Sequence, residues 1–198
     1  MDTGSPWSAR AARLFTEALA PSVVVTLLPL AVAWAATRTV LPTVGWGLLV
    51  ALTSSILPMV VIVRGARSGR WDGRHVRNRE GRLVPFLVLI VLSLVGLGLL
   101  VVLGAPWPVI ALDLIMLATL CVTGAVTLRW KVSMHAAVCS GAAVVLVVTY
   151  GPLWWVSLLL VAGVGWSRVQ VRDHTPGQVV VGAVLGAVVG GGLFALLV

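Results

Sequence analysis

Residues 83–112 include no charged side chain, and neither do residues 18–37, 39–63 and 175–198. A helix advances only ~1.5 Å per residue, so about 20 apolar residues are needed to cross the hydrocarbon core of a bilayer. Runs of that length, repeated along 198 residues, leave little room for a soluble fold. Only 10% of the residues are charged and the mean hydropathy is +1.09, against roughly 25% charged in soluble domains. The expected fold class is all-α, a polytopic transmembrane helix bundle of six to seven spans.

Local breakers set the expected limits of the spans. The first runs over 18–36, and the second over 44–63 with Pro58 inside it, which a membrane helix tolerates when its neighbours satisfy the backbone. A charged loop, 64–82, follows. Gly104, Ala105, Pro106, Trp107 and Pro108 mark a turn between spans 83–104 and 108–128, and Gly151-Pro152 divides 134–150 from 153–167. The last span covers 175–197. Its Gly182, Gly186 and Gly190 recur every four residues, on one face, where another helix can approach closely. Residues 1–17 read as a polar or interfacial segment ahead of a membrane domain at 18–198. Within 6–20, an amphipathic helix would turn Trp7, Leu14 and Phe15 toward lipid, although a frayed tail fits as well. Ala33-Trp34-Ala35 resembles a signal-peptidase site only weakly, so the first span is expected to be retained.

Threading these spans as alternate crossings gathers the basic residues on one side, leaving only Arg38 of the fourteen lysines and arginines opposite. By the positive-inside rule that side, with the N-terminus, is cytoplasmic and the chain is an integral cell-membrane protein. The net charge of +8 then orients helices and attracts anionic headgroups, which makes a nucleic-acid partner a poor fit. Cys121 and Cys139 sit in apolar stretches as small hydrophobes.

Three polar clusters fall on the same face. The first holds Asp72, Arg74, His75, Arg77, Arg79, Glu80 and Arg82. The second is Lys131-Val132-Ser133-Met134-His135, and the third runs from Ser167-Arg168 through Asp173-His174 to Gln178. Convergence of histidines, cations and hydrogen-bonding groups is what an active site requires.

At these residues the chain resembles the type 2 phosphatidic acid phosphatase superfamily, whose motifs read K-x6-R-P, P-S-G-H and S-R-x5-H-x3-D. Ser167, Arg168 and His174 keep the spacing of the third motif. Ser133 and His135 match the second, with Val132 and Met134 in place of proline and glycine. Arg82 is the best arginine for the first, with Asp72 and Arg79 forming a variant of it. Two further departures matter: Gln178 stands where the family has its final aspartate, and two extra crossings separate the first and second motifs, which makes Arg129 or Lys131 a rival for the first motif's cation.

The resemblance implies a membrane-embedded hydrolase of a lipid phosphate or diphosphate, of polyprenyl or glycerolipid type, with its active site at one membrane interface. His174 would attack phosphorus to give a phosphohistidine, and His135 would protonate the leaving alkoxide and then activate water. Arg79, Arg82, Lys131, Ser133 and Arg168 would hold the phosphate, supported by Asp72, Ser167 and Gln178. The partner is a membrane lipid, and neither a metal nor another cofactor is implied. An amide at Gln178 can accept the imidazole N–H but cannot stabilise a positive ring as a carboxylate does, so a slower or differently tuned enzyme is expected.

Plainer readings stand beside these. Thr175-Pro176-Gly177-Gln178 suits a helix start with a capping box, and Ser133 suits an N-cap. The 64–82 arginines serve topology and anionic lipid, and each histidine can be an interfacial ring bonded to a carbonyl. Asp113 is the lone ionisable group deep in a span, favouring a structural hydrogen bond over a proton relay. Two alternative functions remain: a lipid phosphotransferase using the same site, and a catalytically silent protein that binds anionic lipid.

Overall fold

A computed structural model of the chain describes residues 6–68 and 79–198. Among these every regular element is helical, with no strand. The helices are α1 (Pro6–Ala18), α2 (Pro21–Thr37), α3 (Val40–Ala51), α4 (Leu57–Arg67), α5 (Arg79–Val102), α6 (Trp107–Thr127), α7 (Met134–Tyr150), α8 (Leu158–Gln170), α9 (Pro176–Leu185) and α10 (Leu193–Leu197). A π-helical segment, Leu52–Ile56, fuses α3 to α4, a second one, Gly186–Gly192, fuses α9 to α10, and a 3₁₀ segment, Pro152–Ser157, leads into α8.

Five stretches are long and apolar enough to cross a membrane: Val40–Gly65, Val84–Val102, Trp107–Thr127, Pro152–Gln170 and Pro176–Leu197. A sixth is reached if α1 and α2, bent by 46° at their junction, count as one broken span. The remaining expected span, 134–150, corresponds to α7, a shorter apolar helix of 17 residues. Large aliphatic side chains such as Leu94, Val101, Leu159 and Val188 are exposed, which suits helices solvated by lipid. Both expected breaks are present, at Gly104 (φ 72°) and Gly151 (φ 99°), each in the left-handed region that glycine enters without strain.

The chain divides into two compact units, one formed by 1–24 with 125–198 and the other by 25–124. In the first, α7 packs on the glycine face of α9 and its π extension. A Cβ at Gly182 would come within 2.5 Å of the Ser133 carbonyl oxygen, and one at Gly186 would collide with the Ala137 carbonyl and Ser140 Oγ. Gly141 reciprocates, lying 3.0 Å from the Gly186 carbonyl by the same measure. That closeness lets Ser140 Oγ donate to the Ala183 carbonyl at 2.7 Å.

Helix α1 belongs to this unit and lies along α8. Phe15, expected to face lipid, stays 38% exposed while one edge of its ring packs edge-on to Trp166, centroids 6.5 Å apart, over the bare backbone of Gly163. Thr16 and Ser8 add hydrogen bonds to Ser167 and Gln170. The missing side chain at Gly163 provides a slot for the edge of the ring. Trp7 and Leu14 remain exposed.

In the second unit Ala33, Val50, Leu100, Ala105 and Val109 form the buried core. Asp113 makes the structural hydrogen bond expected of it, accepting from Ser54 Oγ at 3.0 Å.

Candidate active site

The site candidates that the structure joins are those at the ends of α7, α8 and α9. Helix α8 ends in a Schellman arrangement: Arg172 N–H donates to the Val169 carbonyl and Asp173 N–H to the Arg168 carbonyl, at 3.0 and 3.2 Å. The residue that turns the chain is Arg172, at φ 57°, where glycine is usual. His174 N–H shares the Arg168 carbonyl, also at 3.2 Å. One residue later Thr175 caps α9 through a full capping box with Gln178. These five residues therefore reverse the chain and bring His174 back to the helix end that carries Ser167 and Arg168.

Side chains tie the turn down. Arg168, only 4% exposed, bonds Asp173 Oδ2 through Nη2 at 2.6 Å, while Asp173 is 48% exposed. Lys131 Nζ donates to the Asp173 carbonyl at 2.6 Å. The N-terminus of α7 docks on the first turn of α9, with Ser133 N–H donating to the Gln178 carbonyl at 3.2 Å. Arg168 Nε is buried without a hydrogen-bond partner, so one donor of a desolvated cation is uncommitted.

The bonding of Gln178 fixes the chemistry of His174. Thr175 N–H donates to Gln178 Oε1 at 3.2 Å, so that atom is the amide oxygen and can only accept. The same oxygen lies 3.2 Å from His174 Nδ1. Nδ1 must then carry the hydrogen, which leaves the lone pair on Nε2. Burial, then the positive charge of Lys131, and further that of Arg168, hold the ring at a pKa of about 4, below the usual 6.5; the Gln178 bond and Asp173 act in the opposite direction. At neutral pH His174 is an uncharged imidazole with its lone pair on Nε2.

Compared with protein-family models, curated proteins and solved structures, the chain gives no match.

The other expected residues divide into three groups. His135 is the second residue of α7, half-buried, two residues past the docked Ser133. Ser133 is fully buried and caps α7 by accepting from Ala136 N–H at 3.4 Å, and Ser167 Oγ donates to the Val164 carbonyl at 2.8 Å while accepting from Thr16. The plain capping reading thus holds for Ser133 and for Gln178, though Gln178 also meets the histidine. Arg79 and Arg82 lie in the first turn of α5, in the other unit, with side chains outside the described residues, and Asp72 lies outside them altogether.

One participant escaped the sequence reading. Asp173 was quoted as part of the cluster but given no role, yet it is the acid that pairs with Arg168. The available signal was its rarity, since the chain has only six acidic residues and this one stands among cations. Among the described residues no three metal-binding side chains gather.

Proposed function

We propose that this chain is a membrane-embedded phosphatase that hydrolyses a lipid phosphate or diphosphate through a phosphohistidine on His174. The observation that carries the reading is the His174–Gln178–Thr175 arrangement, which holds the imidazole neutral with its Nε2 lone pair unblocked beside two cations. In-line attack by Nε2 on phosphorus breaks the P–O bond to the lipid, and His135 donates a proton to the leaving oxygen. Neutral His135 then takes a proton from water, the hydroxide attacks phosphorus, and the P–N bond breaks. Lys131 and Arg168 would neutralise charge on the phosphoryl oxygens. Six to seven spans, with this end of α7, α8 and α9 at the cytoplasmic interface, complete the proposal, in keeping with the distribution of lysines and arginines.

The test is release of inorganic phosphate from lipid phosphates by purified protein in mixed micelles, with quenching in alkaline detergent to trap an acid-labile, base-stable phosphoprotein. His174→Ala should abolish both while the protein stays folded, and a fully active His174→Ala variant rejects the reading.

A second reading has its own observation. Asp173 occupies Arg168 while Ser133 and Gln178 serve as caps, an arrangement that also suits a silent protein holding anionic headgroups. Binding of phosphatidic acid without turnover in the same assay favours that alternative. If turnover occurs, adding an alcohol acceptor tells hydrolase from phosphotransferase by the product formed.

A further inference from the structure

In the second unit Asp113 is 0% exposed. It lies six residues into α6, roughly 9 Å along the helix from Trp107 at ~1.5 Å per residue. Its Oδ1 accepts from Ser54 Oγ at 3.0 Å, whereas Oδ2 is buried without a hydrogen-bond partner. A carboxylate with one of its oxygens bare in a low-dielectric interior is strongly disfavoured, because neither a cation nor a second donor replaces the water it gave up. Among the described residues, segments 25–37, 40–63 and 84–102 of the same unit contain no other titratable side chain; Arg38, Arg64 and Arg67 are exposed at helix ends, Arg79, Glu80 and Arg82 open α5, and Cys121 is exposed two turns further along α6.

The partner of Asp113 sits on an unusual piece of backbone. Ser54 belongs to the π-helical segment Leu52–Ile56, where the Leu57 N–H reaches back to the Leu52 carbonyl. The widened turn presents adjacent hydroxyls to different helices: Ser54 toward Asp113 of α6, and Ser55 to Thr26 Oγ1 of α2 at 3.4 Å. Behind it Gly96 of α5 gives Thr53 room, since any Cβ there would collide with Thr53 Oγ1. Isolated π turns cost helix regularity and are frequent at functional positions.

We propose that Asp113 is a reversible proton-binding site, with the proton carried on Oδ2 and the carboxyl steadied by the Ser54 hydroxyl at the π turn. The ligand is H⁺, and the site is separate from the phosphatase reading.

The test uses the full chain in phosphatidylcholine vesicles treated with N,N′-dicyclohexylcarbodiimide from acid to mildly alkaline pH. This apolar reagent reacts with a protonated carboxyl in an apolar setting. The acid adds across a C=N bond, the proton goes to nitrogen and the carboxylate oxygen to carbon, and rearrangement leaves a stable N-acylurea that mass spectrometry locates. Labelling of Asp113 is expected at low pH, falling about tenfold per pH unit above its midpoint, and the modified peptide should vanish in Asp113→Asn, an isosteric change that a neutral site accepts. A water-soluble carbodiimide should instead mark exposed acids such as Asp173. The proposal is overturned by an unlabelled Asp113 when the soluble reagent has marked Asp173, by labelling that does not change with pH, or by protection that follows sodium concentration in place of pH.

Discussion

Replacing Gln178 with glutamate tests the proposed nucleophile most directly. The two side chains have the same length, and the oxygen that accepts from Thr175 N–H and from His174 Nδ1, each at 3.2 Å, is retained. The change therefore adds a negative charge at the ring without moving it. An opposite charge within ~4–6 Å raises a histidine pKa by roughly 1–3 units, and each unit corresponds to about 1.4 kcal/mol between the charged and neutral ring. Starting from about 4, His174 should titrate in Gln178→Glu at about 5 to 7, as read from imidazole ¹⁵N shifts in nanodiscs. Attack on phosphorus makes the ring cationic while the resting ring stays neutral at mildly alkaline pH, so the added carboxylate stabilises the transition state more than the ground state. Turnover there should rise by about tenfold or more. An unmoved titration midpoint would refute the placement of Gln178 on Nδ1, and a shifted midpoint with no gain in turnover would refute His174 as the attacking group.

Three further outcomes follow from the same geometry. Asp173→Asn should release Arg168 and tighten inhibition of phosphate release by orthovanadate about tenfold, in line with ~1.5 kcal/mol for a charge-assisted bond; unchanged inhibition removes Arg168 from the phosphate cradle. Because burial and neighbouring cations hold His174 at about 4 against an ordinary 6.5, the unfolded chain takes up the proton first. Stability should thus be at its full value above pH 6.5 and fall as pH drops from 6.5 toward 4, and His174→Gln should flatten that part of a pH-dependent melting curve. Gly186→Val places a Cβ into the Ala137 carbonyl and should cost at least about 1–3 kcal/mol by thermal unfolding in detergent, whereas Gly98→Ala in α5, with nothing within 4 Å, should be neutral or slightly stabilising.

The helices and their breaks were legible because bilayer thickness converts directly into run length, and Gly104, Gly151 and the face of Gly182, Gly186 and Gly190 behave as their chemistry requires. The helix against which α1 rests was not legible: the apolarity of Phe15 called for cover but did not single out α8, where Gly163 and Trp166 take one edge of a ring that stays 38% exposed. The π turns were hidden for a related reason: Leu52–Ile56 carries no breaker, and its wide turn is stabilised by partners on other helices. Within the site, the roles of Ser133 and Gln178 as caps follow from local spacing and could be read. The Arg168–Asp173 pair depends on Arg172 adopting a left-handed conformation that glycine would have announced and arginine does not.

That left-handed turn bears on what the Ser167-Arg168 to His174 spacing means. A helix end closed by a Schellman arrangement and followed at once by a capped helix start needs about this many residues, so the spacing has a sufficient cause in backbone hydrogen bonding alone. Capping explains why Thr175 and Gln178 are there and why Arg168 lends its carbonyl to two N–H groups. It does not call for a buried guanidinium with an uncommitted Nε, nor for a histidine whose Nδ1–H is held so that Nε2 keeps its lone pair. Two helices could be joined here by apolar and small residues at lower desolvation cost. The case for chemistry at this turn therefore rests on Arg168 Nε and His174 Nε2, the two nitrogens for which the fold alone has no use.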